Sequence, residues 1–154
     1  MNTRNRHLPP RKKTLEELDA ANLRPLPMSE EDWNDFAHAV ELFNAGKYWH
    51  AHEAWELIWM RHPEDSRMFL QGLILTAAAF HTLVEKHRYM GTLNNFAKAV
   101  PRLKLFEPEF MGIEVTPLVR TIQRWREKVR KQGRQGISNF NLRLLPKIEW
   151  NRMD

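Results

Sequence analysis

Residues 69–84 read FLQGLILTAAAFHTLV, the most apolar stretch of the chain. At 100° per residue, one helix face collects an apolar stripe consisting of Leu70, Leu73, Ile74, Ala77 and Val84. The other faces are largely apolar as well, which is typical of a central helix that is covered on more than one side. The uninterrupted apolar part is still far shorter than the roughly 20 residues that span a membrane. We therefore expect this segment to be the core helix of a soluble protein.

Helix breaks and helical periodicity predict four further helices around this segment. The predicted bounds of the five are, in chain order, about 30–45, 47–60, 66–87, 89–106 and 116–133. Ser29 is a suitable N-cap for the first helix and Thr116 for the fifth, and Pro101 should kink or split the fourth. Alternating strand patterns are missing from the sequence. The predicted fold class is all-α, a compact bundle of about five main helices with short connections.

The two ends of the chain differ from this helical part. Residues 1–28 combine basic side chains with prolines and are predicted to form a flexible basic tail and linker. Residues 29–133 form the helical domain. Residues 134–154 lack clear periodicity, but their apolar side chains predict an irregular tail that packs on the domain.

Composition excludes several kinds of chemistry. The chain of 154 residues has the length of one domain and contains no cysteine, so disulfides, thiol nucleophiles and Cys-ligated metals are excluded. The net charge of +5 is compatible with an acidic partner but does not require one. Because the first residues carry no apolar signal segment, we expect a cytoplasmic protein without a membrane partner.

The second helix carries the sharpest functional candidate, a histidine and a glutamate among aromatic side chains. Glu56 lies about 40° from His52 around the helix, so the two are direct neighbours at a spacing of four residues. The same face also holds the aromatic side chains of Tyr48, Trp49, Trp55 and Trp59. We expect so aromatic a face to point inward, where a carboxylate is costly unless it is paired. The sequence predicts a buried pocket containing His52 and Glu56, with Trp55 and Trp59 as walls against a cofactor or ligand.

A third polar residue is predicted to join this pair. His81 is the only ionisable residue on the apolar stripe of the central helix, and an antiparallel packing of the two helices would bring it close to His52. Two imidazoles and one or two carboxylates suit zinc, manganese or iron(II). We therefore predict one divalent metal held by His52, Glu56 and His81, with Glu53 or water completing the set. Catalysis at such a metal would be hydrolysis or hydration, with Glu56 or Glu53 as general base. The alternative is a hydrogen-bonded network that only specifies the core.

Other motifs do not add a second site. HEAWE at 52–56 places Glu56 where a zinc protease of the HExxH type has its second histidine. The order His52, Glu53, Glu56 also differs from the Glu-x-x-His of di-iron bundles. Glycine-rich phosphate loops are absent. The remaining histidines, His62 among them, are expected on the surface or in loops.

The two segments LFNAGKYWHAHEAWELIW (42–59) and RMFLQGLILTAAAFHTL (67–83) together resemble the bacterial and archaeal domain of unknown function 309. The family pattern His-x-x-x-Glu-x-x-(Trp/Tyr) is matched by His52, Glu56 and Trp59, and the family's histidine on the next helix by His81. The resemblance covers about residues 34–115. It implies an all-helical fold and a suspected metal-binding role, without an established activity. The stretch 86–91, KHRYMG, departs from the family's usual Gly-Asn, so a different ligand is expected if this loop shapes the pocket mouth.

Two other functions compete with a ligand or metal site. LFNAGKYWHAHEAWE (42–56) also resembles one tetratricopeptide hairpin, but a period near 34 residues does not recur. A single helical interaction module for a protein partner, or for a homo-oligomer, is compatible with that likeness. The basic residues between Arg120 and Arg134, beside Trp125, are a feature of nucleic-acid binding through the fifth helix. Because basic helices more often form solvated faces, nucleic acid is the least favoured partner, after an unknown small ligand or a protein.

Overall fold

A computed structural model of the chain describes residues 11–152, and it confirms the predicted all-α class. Residues 11–152 contain five α-helices, which are α1 Glu30–Asn44, α2 Tyr48–Arg61, α3 Met68–Val84, α4 Tyr89–Lys104 and α5 Val115–Gln132. Short 3-10 turns lie at Leu15–Glu17, Ala20–Asn22, Asp65–Arg67, Arg134–Gly136 and Leu142–Leu144. The predicted basic tail lies outside the described residues as far as residue 10, as do residues 153–154.

The starts of α1 and α5 show which of the predicted helix caps are present in the structure. The Ser29 hydroxyl accepts a hydrogen bond from the Asp32 amide at 3.0 Å, and the Asp32 carboxylate accepts one from the Ser29 amide at 3.1 Å. This reciprocal pair is the capping box that begins α1. The prediction for Thr116 was wrong, because α5 begins at Val115 with Glu114 as its N-cap. Pro101 lies inside α4 without splitting it.

A small hairpin corrects the expectation that the chain contains no strand. Strand β1, Glu109–Phe110, pairs antiparallel with β2, Ile113–Glu114. Met111 and Gly112 make the turn with φ of 50° and 86°, and such left-handed residues are typical of tight hairpin turns. Because β2 runs directly into α5, the N-cap of the helix is Glu114, two residues before the predicted Thr116.

The helices pack on one another in chain order, with α3 between α2 and α4. At one end of the α2–α3 pair the ring of Trp49 lies 5.2 Å from that of His81, and at the other end the Arg67 guanidinium lies 3.8 Å from the Trp59 ring. These contacts confirm that α2 and α3 are antiparallel. Phe80 of α3 is fully buried and contacts aromatic rings from all four other helices, Phe43, Tyr48, Phe96 and Trp125.

Segments outside the helices are attached to the bundle at both ends. Arg67 donates a hydrogen bond to the Arg11 carbonyl at 2.7 Å, and Lys13 pairs with Asp65 at 2.6 Å. At the other end, the backbone of Ile148 exchanges two hydrogen bonds with the Asn44 side chain, at 2.9 and 2.7 Å.

One segment, Asp65–Val84, has the length and composition of a membrane span, with a mean hydropathy of 1.3. Inside the bundle 61% of its apolar window is buried. The core helix of a water-soluble protein has the same features, so this property is weak evidence for a membrane span.

Candidate functional site

A pocket of about 550 Å³ opens between α2 and α4 over a partly buried face of α3. Its floor comes from one face of α3 and consists of Gln71, Ile74, Leu75 and Ala78. The α2 wall consists of His52, Glu56, Trp59 and Met60. The opposite wall consists of Lys98 and Arg102 of α4. Lys12 of the N-terminal segment also lines the pocket, beside Trp59. Pockets for small organic molecules typically measure about 300–1,000 Å³, so this one has a suitable size.

Of the two titratable side chains on the α2 wall, His52 is less exposed than Glu56. Its side chain is 17% exposed, and its ring stacks on Trp49 with the centroids 4.5 Å apart. Nδ1 is buried and has no hydrogen-bond partner among residues 11–152. Nε2 lies 3.6 Å from a carboxylate oxygen of Glu56, which is an ion-pair distance and too long for a hydrogen bond.

Burial is the main influence on the ionisation of His52. It lowers the pKa of the imidazole below its usual value, and it outweighs the raising effects of Glu56 and Glu53. The nearby His81 lowers the pKa of His52 slightly further. The ring is therefore neutral near pH 7, with one nitrogen able to accept a proton or bind a ligand.

The expectation of an inward-pointing His–Glu–Trp face was wrong in two respects. The Glu56 side chain is 49% exposed, and Trp49 is 47% exposed. The buried face of α2 is centred on Ala51, Trp55 and Ile58, all of which are 8% exposed or less. His52 therefore lies at the edge of the buried face, and Glu56 lies one turn further along that edge. The pocket is an open groove rather than a closed core site.

The two predicted tryptophan walls are placed differently. Trp59 lines the pocket, and the Arg67 guanidinium lies 3.8 Å and the Lys12 ammonium 5.9 Å from the centroid of its ring. Trp55 is fully buried and packs on Phe36 and Phe43 of α1, away from the pocket. Trp59 alone of the pair can contact a ligand there.

His81 and Glu53 do not line this pocket. His81 is half-buried against Trp49, and its pKa is lowered by burial and by Lys86, against a smaller effect of Glu85. Glu53 is exposed, lies 3.8 Å from His50, and faces a neighbouring groove of about 500 Å³ between α1 and α2. Among residues 11–152, no group of three or more His, Asp or Glu side chains is placed to hold a metal ion. The three-ligand metal centre stays a prediction.

The α4 wall was missed by the sequence analysis. Lys98 and Arg102 are one helical turn apart, and Arg102 donates a hydrogen bond to the Lys98 carbonyl at 2.8 Å. The Nε of Arg102 is buried and has no hydrogen-bond partner within the described part of the chain. Burial lowers the pKa of this guanidinium. The spacing of the two cations is visible in the sequence, but their position opposite α2 depends on the packing of α3 and α4.

His62, which was expected on the surface or in a loop, lies in the loop that follows α2, but it is buried and only 6% exposed. Its Nε2 lies 2.9 Å from an Asp32 oxygen, and Arg61 donates a hydrogen bond to the other Asp32 oxygen at 2.8 Å. Burial raises the pKa of Asp32, but hydrogen bonds from Arg61, the Ser29 amide and His62 outweigh burial and hold that pKa below its usual value. These contacts join α1 to the end of α2 and lie apart from the pocket.

The basic helix α5 does not expose Trp125, the aromatic residue beside its cations, to a nucleic acid. Trp125 is 4% exposed and contacts Phe80 in the core, with Lys128 over its ring at 4.7 Å. Glu127 is paired with Arg130 at 2.6 Å. The exposed side of α5 is thus a charged face whose tryptophan points inward.

Comparison with known proteins gives one match. Residues 36–94 match a family described as Domain of unknown function (DUF309). The matched segment contains α2 and α3 entirely, and with them His52, Glu56, Trp59 and the pocket floor; it ends within α4 before Lys98. No curated protein matches the chain.

Proposed function

We propose that this chain, whose residues 36–94 match the DUF309 family, binds a small organic molecule between α2, α3 and α4. We further propose that His52 and Glu56 act on that molecule as a proton-transfer pair. The observation that carries the proposal is the position of this pair, 3.6 Å apart, on the wall of a pocket of about 550 Å³.

The chemistry of the pair suits proton transfer. A neutral imidazole can accept a proton from a ligand, and its burial keeps it neutral near pH 7. The Glu56 carboxylate then stabilises the imidazolium that forms, in the way a carboxylate supports a general base. Glu56 is half-exposed, so it is also accessible to a polar group of the ligand.

Binding in this pocket can be tested with N-phenyl-1-naphthylamine, an uncharged aromatic probe that fluoresces in apolar surroundings. We expect saturable binding of one probe per chain to the wild-type protein. The variant Ala78→Trp, which fills the pocket floor, should weaken this binding at least tenfold while the circular dichroism spectrum stays helical. Equal binding by both proteins, or no binding by either, would contradict a ligand site between these helices.

The part played by His52 has its own readout. In nuclear magnetic resonance spectra, the bound probe should shift the imidazole resonances of His52 and leave those of His38 unchanged. His38 is a suitable internal control because it is exposed and lines the neighbouring groove instead. A probe that shifts His38 and spares His52 would place the ligand outside the proposed pocket.

A divalent metal is the second candidate. It is supported by the lowered pKa values of His52 and His81, since neutral imidazoles are the form that binds zinc, manganese or iron(II). His52 and Glu56 supply two donor groups, and His81 contacts the same Trp49 ring as His52, but among residues 11–152 the three side chains do not form a ready-made centre. Elemental analysis of untagged protein after exposure to each metal decides the matter. Near-stoichiometric metal in the wild type that the His52→Ala variant loses would support the metal site. A metal-free wild type would contradict it.

A further inference from the structure

The charges of the pocket are unevenly distributed. The α2 wall carries the carboxylate of Glu56, whereas the α4 wall carries the cations Lys98 and Arg102. A third cation, Lys12, lines the pocket beside Trp59. Among residues 11–152, none of these three cations forms an ion pair with a carboxylate. The α4 side of the pocket therefore presents positive charge that the described residues do not neutralise.

Arg102 is the most informative of the three. It is half-buried, it donates one N–H to the Lys98 carbonyl, and its buried Nε has no hydrogen-bond partner among residues 11–152. A partly buried cation is unfavourable unless an anion accompanies it. A guanidinium also presents a planar set of donors that matches the two oxygens of a carboxylate or phosphate.

The floor between the two walls is mainly apolar. Ile74, Leu75 and Ala78 separate the His52–Glu56 pair on α2 from the cations on α4. A molecule that fits both the apolar floor and the cationic wall beside it has an apolar body with an acid group at one end. The floor favours burial of the apolar part, and the cations favour the anionic part.

We propose that the ligand is an organic acid, that its anionic group is held by Arg102 and Lys98 with Lys12 at the rim, and that its apolar body lies on Ile74 and Ala78. This inference rests on the proposed ligand site and adds the chemical class of the ligand. It also assigns a binding role to two residues of α4 that lie beyond the matched family segment 36–94.

Two fluorescent probes of nearly the same shape test the inference. 8-Anilinonaphthalene-1-sulfonate carries one sulfonate that N-phenyl-1-naphthylamine lacks. We expect the wild-type protein to bind the sulfonate at least tenfold more tightly, which corresponds to about 1.4 kcal/mol. Arg102→Gln and Lys98→Gln should each weaken the sulfonate at least fivefold and leave the uncharged probe within twofold.

A matched control removes one positive charge elsewhere on the surface. Arg126→Gln on α5 lies in an exposed position away from the pocket, and it should leave both affinities unchanged. Equal wild-type affinities for the two probes would overturn the inference, and so would an Arg102→Gln variant that keeps the affinity for the sulfonate. If Ala78→Trp fails to weaken the uncharged probe, the proposed ligand site itself is refuted.

Competition then distinguishes the sources of the anionic group. Octanoate and octyl phosphate should each displace the bound sulfonate probe from the wild-type protein, and 1-octanol should do so at least tenfold less well. Whichever of octanoate and octyl phosphate displaces the probe at the lower concentration shows whether the site prefers a carboxylate or a phosphate. Displacement by 1-octanol at the same concentration as the acids would overturn the inference, since an apolar body would then suffice.

Discussion

Truncation of Phe80 is expected to cost more stability than any single truncation at the edge of the bundle. The ring is fully buried, and its centroid lies 5.1–5.8 Å from the rings of Phe43, Tyr48, Phe96 and Trp125. Truncation of a buried phenylalanine costs about 3–5 kcal/mol, and each aromatic pair adds roughly 0.5–1.5 kcal/mol beyond burial. We therefore expect Phe80→Ala to lower the free energy of unfolding by about 4 kcal/mol. Phe80→Leu, which keeps most of the volume, should cost about 1.5 kcal/mol.

Urea unfolding followed by circular dichroism measures this difference directly. With an m-value of about 2 kcal/mol/M, the midpoint for Phe80→Ala should fall by about 2 M. Phe140→Ala is the matched control, since Phe140 is half-buried and its ring contacts Trp125 at 5.9 Å; about 1 kcal/mol is expected there. If Phe80→Ala cost no more than Phe140→Ala, the packing of all five helices around this ring would be refuted.

Three further predictions concern other contacts. Glu56→Gln should lower the pKa of His52 further, because Glu56 raises it; an unchanged pKa in a resonance titration would show that the pair does not interact. The pKa of Asp32 in the folded protein is held below its usual value. Ionised Asp32 therefore stabilises the fold at pH values above the pKa that this residue has in the unfolded chain. This stabilisation is lost as the pH falls through the pKa of Asp32 in the folded protein. The stability of the wild type should therefore decline below roughly pH 4, and Asp32→Asn should show a smaller decline in urea midpoints measured across pH. Arg67→Met should speed tryptic cleavage after Arg11 at least fivefold, because a charged hydrogen bond contributes about 1.5–3 kcal/mol. Equal cleavage rates would mean that Arg67 does not secure this segment.

The fold was predictable where its signals are local. The capping box of Ser29 and Asp32 and the periodicity of α3 depend on residues within one or two turns. The hairpin 109–114 was missed because two-residue strands cannot show an alternating pattern. Its pairing also involves a bridge from Ile113 to Trp150, far along the chain. The start of α5 followed from that hairpin, so Thr116 was placed incorrectly for a reason of tertiary structure.

The candidate site was predictable in part for the same reason. Spacing on one helix placed His52, Glu56 and Trp59 together, and all three line the pocket. The direction of that face was predicted wrongly, because the buried face of α2 is centred on Ala51, Trp55 and Ile58 and leaves Glu56 half-exposed at its edge. Lys98 and Arg102 could not be assigned from sequence, since only the packing of α4 on α3 brings them opposite α2.

The most direct test of the central claim is a crystal structure of the wild-type protein with 8-anilinonaphthalene-1-sulfonate. We expect the aromatic rings to lie between α2 and α4, over Ile74 and Ala78, with the sulfonate in contact with Arg102. Probe bound in the groove between α1 and α2, with the pocket over α3 unoccupied, would contradict it.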